Sequence, residues 1–176
     1  MTEQEMIKQM LQMQYDLNQD IMQKKGLTEI NKPNLFFAIF DELGELSHEL
    51  KHEWCWWKEH QAEVDHDKTL EEYVDVVHFA LIYEIDVLEH SKKERGSFSL
   101  NITKAHQMVE FNANQDKLKV VNDLYTIIIK DTYWHPASLL WNVLELGFTL
   151  GFSMEDIYNE YLKKNKVNFE RLANGY

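Results

Sequence analysis

The stretch LEEYVDVVHFALIYEID, residues 70–86, decides the fold. Val74, Val77, Leu81 and Ile85, continued by Leu88, recur at three- and four-residue steps and so form one apolar stripe of an α-helix. Alternation with a period of two, the mark of a half-buried strand, is missing here and is convincing nowhere else in the chain. Beside the stripe, Glu72, Asp75 and Phe79 share an adjacent face. Acids that border a core stripe need a reason, because burial without a partner is costly for a carboxylate.

Upstream, DELGEL at 41–46 repeats the arrangement. Ile39, Leu43, Leu46 and Leu50 make the stripe, Glu42 borders it, and Glu45 is its i+3 neighbour. A lone E-x-x-E reads as a solvated polar face. Two such pairs on two amphipathic helices would present four carboxylates to one another. That set repels itself unless a hard cation such as Mg²⁺ is bound between its oxygens.

Working outward, helices are expected near residues 3–24, 34–53, 69–90, 101–113, 117–131, 136–150 and 154–172, so the class is all-α, a helical bundle whose four-helix core carries the two carboxylate pairs. Six glycines and two prolines among 176 residues suit that class. Connections are expected around Pro33, along Glu59 to Lys68, from Ser91 to Ser99, and from Tyr133 to Pro136. Ser153, followed by Glu155 and Asp156, reads as the N-cap of the last helix.

One domain over 1–176 is expected, with 44% hydrophobic residues to build its core. A single cysteine, Cys55, gives no intramolecular disulfide and fits a reducing cytoplasm. The first ten residues do not resemble a secretory signal, and no apolar run approaches the ~20 residues of a membrane helix. The net charge of −12 speaks against nucleic-acid binding, which needs clustered Lys and Arg. It leaves room for a phosphate ligand bridged to the protein by divalent cations.

A second metal signature overlaps the first. HELKH, 48–52, matches the H-E-x-x-H pattern that holds zinc on a helix. The extended form fails, with Cys55 in the glycine position and Lys58 in that of the last histidine. His48 and His52 therefore read as ordinary helix-face residues, and a zinc protease is disfavoured. Near the C-terminus, Lys164, Asn168 and Arg171 fall at i, i+4 and i+7, a stripe suited to phosphate oxygens or, alternatively, to complementing the helix dipole. Gln14 and Asn18, one turn apart beside Leu11 and Ile21, carry amides that could read a pyrimidine edge, although taken singly each is better explained by capping or solvent contact. Phe79 could stack on a base or simply fill the core.

Taken together, QYDLN (14–18), DELGEL (41–46), WCWWK (54–58), EEYVDVVHF (71–79) and KNKVNFERLANGY (164–176) resemble the dimeric all-α dUTPases, relatives of the MazG-type nucleotide pyrophosphohydrolases. Some relatives carry a lysine where Cys55 stands. No quoted motif falls between about 92 and 134, which reads as a variable insert. The resemblance implies hydrolysis of dUTP to dUMP and pyrophosphate, with dUDP an open second substrate. It implies two or more Mg²⁺ on Glu42, Glu45, Glu72 and Asp75, with Glu45, or else Glu42, acting on the water. Uracil would be held by Gln14, Asn18 and Phe79, and the phosphates by Lys164, Asn168 and Arg171. Trp57, Lys58 and Tyr176 join the substrate-binding set through their blocks. A homodimer is implied, as are surfaces that in phage relatives engage protein partners such as repressors of mobile elements. A MazG-like hydrolase of another nucleotide would keep the acids and change the base pocket; a non-enzymatic interaction module would need neither.

Overall fold

The computed structural model describes residues 1–92, 98–134 and 139–175. Among them are eight helices and no strand: α1 (Glu3–Lys25), α2 (Lys32–Glu49), α3 (Lys51–Trp54), α4 (His66–His90), α5 (Ile102–Asn112), α6 (Lys117–Trp134), α7 (Leu139–Leu150) and α8 (Met154–Ala173). None of these helices is long and apolar enough to cross a membrane.

Local chemistry sets the ends of the helices. The Thr2 hydroxyl accepts from the Glu5 backbone N–H while the Glu5 carboxylate accepts from that of Thr2, a reciprocal cap that starts α1. Gly26, at φ 66°, stops it in the left-handed conformation. Ser153 and Asp156 cap α8 in the same reciprocal way, as the acids after Ser153 lead one to expect. Two of the differences from the expected boundaries have a visible cause. Asp65 accepts from the backbone N–H groups of Asp67 and Lys68, so α4 begins at His66, inside the polar run read as a connection. The helix read as 34–53 is two, with Leu50 between them. Trp54 turns back across this break, and its indole N–H donates to the Ser47 carbonyl at 2.8 Å, taking an acceptor from the last turn of α2.

The core is one continuous apolar cluster drawn from all the long helices. α4 runs through its centre and packs against α1, α2, α7 and α8, while α5 and α6 pack on α7. Both apolar stripes read from the sequence are buried: Ile39, Leu43, Leu46 and Leu50 on α2, and Val74, Val77, Leu81, Ile85 and Leu88 on α4. α4 and α7 approach so closely that a Cβ on Gly147 would fall on the ring of Tyr73, whose buried hydroxyl donates to the Val143 carbonyl at 2.9 Å. α1 and α8 are clasped together, with Tyr158 donating to Gln9 at 2.7 Å, Tyr161 to the Met10 carbonyl at 3.1 Å, and the Lys24 ammonium to the Leu172 carbonyl.

Candidate active site

Packing α2 along α4 turns the acids that border the two stripes toward each other. Carboxylate oxygens of Glu42, Glu45 and Glu72 all lie within 4.8 Å of one another, and this is the one such metal-competent cluster among the described residues. Burial, and then the charges of Asp75, Glu45, Glu72 and Asp41, push the Glu42 carboxyl from 4.5 up to about 7. Glu72 is raised as well, by burial first and then by Glu45 and Asp75. Asp75, the fourth expected ligand, stands slightly apart. Its carboxylate accepts from the Lys164 ammonium at 2.7 Å, and Lys164 also reaches Glu71 at 3.1 Å. Burial still raises Asp75, against the pull of that lysine. Lys164 is thus tied to acids of α4.

The acids line two hollows. On one side Glu42 and Asp75 line a cleft of about 470 Å³ whose wall includes Gln14, Phe79, Asn168 and Arg171. On the other, Glu45 and Glu72 line an opening of about 360 Å³ with Phe40, Asp41 and His48. A larger apolar cavity of about 670 Å³, lined by Leu50, Trp54, Val121 and Tyr125 among others, shares no residue with the acidic cluster. Of the residues read from the sequence as base- and phosphate-binding, Gln14, Phe79, Asn168 and Arg171 therefore line one cleft, and Asn18 and Lys164 are not among its lining. Asn18 is buried one turn from Gln14 and accepts from its amide nitrogen at 3.0 Å.

Trp57 and Lys58 stand elsewhere. Trp57 is largely exposed and packs edge-on with Trp56, and Lys58 borders a separate hollow with His48, His52 and His60. Tyr176 lies outside the described residues. The zinc pattern straddles the break at Leu50, and the metal-competent cluster contains no histidine.

A sequence model of dUTPases, dUTPase_2, matches residues 6–176, nearly the entire chain. The chain belongs to the dUTPase family. It is an all-α dUTP diphosphatase, a hydrolase, and dUTPases generally use a divalent metal. No curated protein matches this dUTPase closely enough to count as a relative.

One feature of this dUTPase's cleft is not marked by the residue pattern alone. His78, buried in the wall, stacks on Tyr161 with ring centroids 4.3 Å apart, and its Nδ1 lies 2.7 Å from the Gln14 amide oxygen. Burial, helped by the nearby Lys164 charge, pushes its pKa down to about 3.

Proposed function

We propose that the protein hydrolyses dUTP to dUMP and pyrophosphate with Mg²⁺ held by Glu42, Glu45 and Glu72, joined by Asp75. The observation that carries this reading is that one cleft combines Glu42 of the metal-competent cluster with Asp75, amides, an aromatic ring and a guanidinium. The donor set fits the ion. It is all oxygen and negatively charged, and two of its carboxyls are driven toward protonation by burial first and then by one another's charge, a repulsion that a cation would relieve. Bound there, Mg²⁺ would supply Lewis acidity toward phosphate oxygens and a lowered pKa for a coordinated water.

The side chains have separate tasks in this scheme. Glu45, the exposed member of the cluster, orients the attacking water and takes its proton; Glu42 is the rival for that role. Asn168 and Arg171 bind the phosphate chain, the guanidinium contacting two oxygens at once. Lys164 exchanges part of its contact with Asp75 for phosphate oxygens as charge gathers on them. Gln14, Asn18 and Phe79 hold the base. We read 1–176 as one domain. A homodimer is supported by the large apolar side chains left on the surface, Phe37, Trp56, Trp57 and Phe111.

Pyrophosphate release from dUTP, dCTP and dTTP, each with Mg²⁺ and with a chelator, tests the proposal. Hydrolysis of dUTP that needs Mg²⁺ and exceeds the other two is expected. Comparable rates for all three would replace the uracil assignment with a broader MazG-like hydrolase, and no turnover at all would remove the catalytic reading.

A further inference from the structure

Helix α6 packs on α7 and meets α2 only sparsely. The space left between α2 and α6 is the cavity of about 670 Å³. Protein interiors are close-packed, and water in this space would lie against the apolar sides of Leu50, Trp54, Leu118 and Val121. A second hollow of about 230 Å³ shares Leu50, Leu118 and Val121 with it and carries the apolar wall on toward Phe152. The larger space falls in the range of small-molecule pockets, roughly 300–1,000 Å³, which are mostly apolar with a few placed polar groups.

The polar groups of the lining decide what such a ligand can carry. Ser47 Oγ donates to the Gly44 carbonyl at 3.1 Å, and the Trp54 indole N–H donates to the Ser47 carbonyl at 2.8 Å. Asp116 accepts from the Lys119 backbone N–H at 2.8 Å at the start of α6, and the Lys119 ammonium donates to Asp123 at 2.7 Å. Both charged side chains of the lining are thus matched, the acid by the start of its own helix and the ammonium by Asp123. Tyr125 differs. Its hydroxyl oxygen is buried with no hydrogen-bond partner among the described residues, which is costly for a polar atom. Burial also pushes its pKa up, so it stays an O–H able to donate and to accept. Water does not reach the oxygen in this arrangement, whereas a small swing of the ring toward the cavity would bring it against a ligand. A charged ligand would find no free counter-charge here, and a wholly apolar one would leave the hydroxyl unsatisfied.

We propose that the cavity between α2 and α6 is a binding site for a small neutral molecule, a ring system with one hydrogen-bonding group, its rings against Leu50, Trp54, Leu118 and Val121 and its polar group on the Tyr125 hydroxyl. No residue lining this cavity also lines the cleft or the acidic opening, so the site is separate from the one assigned to the nucleotide and stands without the dUTP reading.

Three probes and two variants of the full chain test it. The probes are 2-naphthol, neutral with one hydroxyl, 2-methylnaphthalene, which lacks the hydroxyl, and naphthalene-2-sulfonate, which is an anion. Binding is followed through the tryptophan indole N–H signals in nitrogen-15 NMR, with Trp54 assigned by difference from Trp54→Phe. Saturable movement of the Trp54 signal by 2-naphthol is expected, while Trp141, which is outside the cavity and donates to the Asn101 carbonyl, stays in place. The sulfonate is expected to leave Trp54 unmoved. In Tyr125→Phe the affinity ratio of 2-naphthol to 2-methylnaphthalene should fall about fivefold, the worth of one hydrogen bond. Leu118→Trp, which fills the mouth from a partly exposed position, should weaken 2-naphthol by at least about tenfold. Mg²⁺ and dUMP should leave the titration unchanged. Absence of a saturable shift at Trp54, a shift at Trp56 or Trp57 alone, or a ratio that Tyr125→Phe does not alter overturns the proposal. Competition by Mg²⁺ or dUMP would put the probe in the nucleotide cleft and overturn it too, as would binding that appears only on dilution, the sign of a second copy of the chain covering the cavity. If Leu118→Trp fails to fold, the ratio in Tyr125→Phe decides.

Discussion

Glu42→Gln should make the metal-free protein more stable at pH 8. Burial first, and then the charges of Asp75, Glu45, Glu72 and Asp41, raise this half-buried carboxyl from 4.5 to about 7. Between those values the folded chain holds a proton that the unfolded chain has released. Stability from this group is therefore complete below about pH 4.5 and is lost as pH rises through about 7. At about 1.4 kcal/mol per tenfold, the full interval would be worth at most about 3.4 kcal/mol, and screening of a half-exposed group brings this to roughly 1–2 kcal/mol. Glutamine keeps the shape of the protonated acid and does not titrate. In chelator at pH 8 the variant should melt about 3–6 °C above wild type, with the difference shrinking toward zero by pH 5. Adding Mg²⁺ at pH 8 should invert the order, because only wild type retains the full ligand set and gains binding free energy on the folded side. Thermal melts across pH 5–8 measure both effects. If the two proteins melt together at pH 8 in chelator, the Glu42 carboxyl is not raised in the folded chain.

Glu45→Gln should lower kcat by at least about 100-fold while the fold persists, whereas His48→Ala with His52→Ala should leave pyrophosphate release largely intact; the opposite result would revive a histidine-bound metal. Arg171→Ala should weaken nucleotide binding by roughly 1.5–3 kcal/mol, with a loss that grows from deoxyuridine monophosphate to a non-hydrolysable triphosphate analogue in titration calorimetry. An equal loss for both ligands would make Arg171 structural. Gly147→Ala should cost roughly 1–3 kcal/mol in urea unfolding, because the new methyl meets the buried Tyr73 ring between α4 and α7. No change would mean that the two helices can part cheaply.

How far residues alone carried the reading depended on the range of the interaction. Helices α2 and α4 were legible because Ile39 to Leu50 and Val74 to Leu88 repeat at helical steps, and acids bordering both stripes had to meet once the stripes packed. Ser153 was legible as a cap because its partner, Asp156, is three residues away. Trp54 could not be seen to break the second helix, since its bond to Ser47 forms only after the chain has turned. Lys164 read as either a phosphate ligand or a complement to the dipole of α8; its contact with Asp75 spans 89 residues and leaves no local trace. His78 was hidden for a related reason. Within VDVVHFAL it reads as one more core position, and only Gln14 and Tyr161, brought in from α1 and α8, show what its Nδ1 and its ring face.

The clasp of α1 with α8 also has a consequence for synthesis. All four acids have left the ribosome once residue 75 is out, but the wall carrying Tyr161, Asn168 and Arg171 is still to be made. At ~5–20 residues per second, Arg171 follows Asp75 by roughly 5–19 s. During that interval the nascent chain carries the acids and lacks the wall that faces them. Without Asn168 and Arg171 to take the phosphates it should hold no nucleotide. Activity should therefore appear abruptly, on completion of the last helix, and a stalled chain ending before Tyr161 should have none.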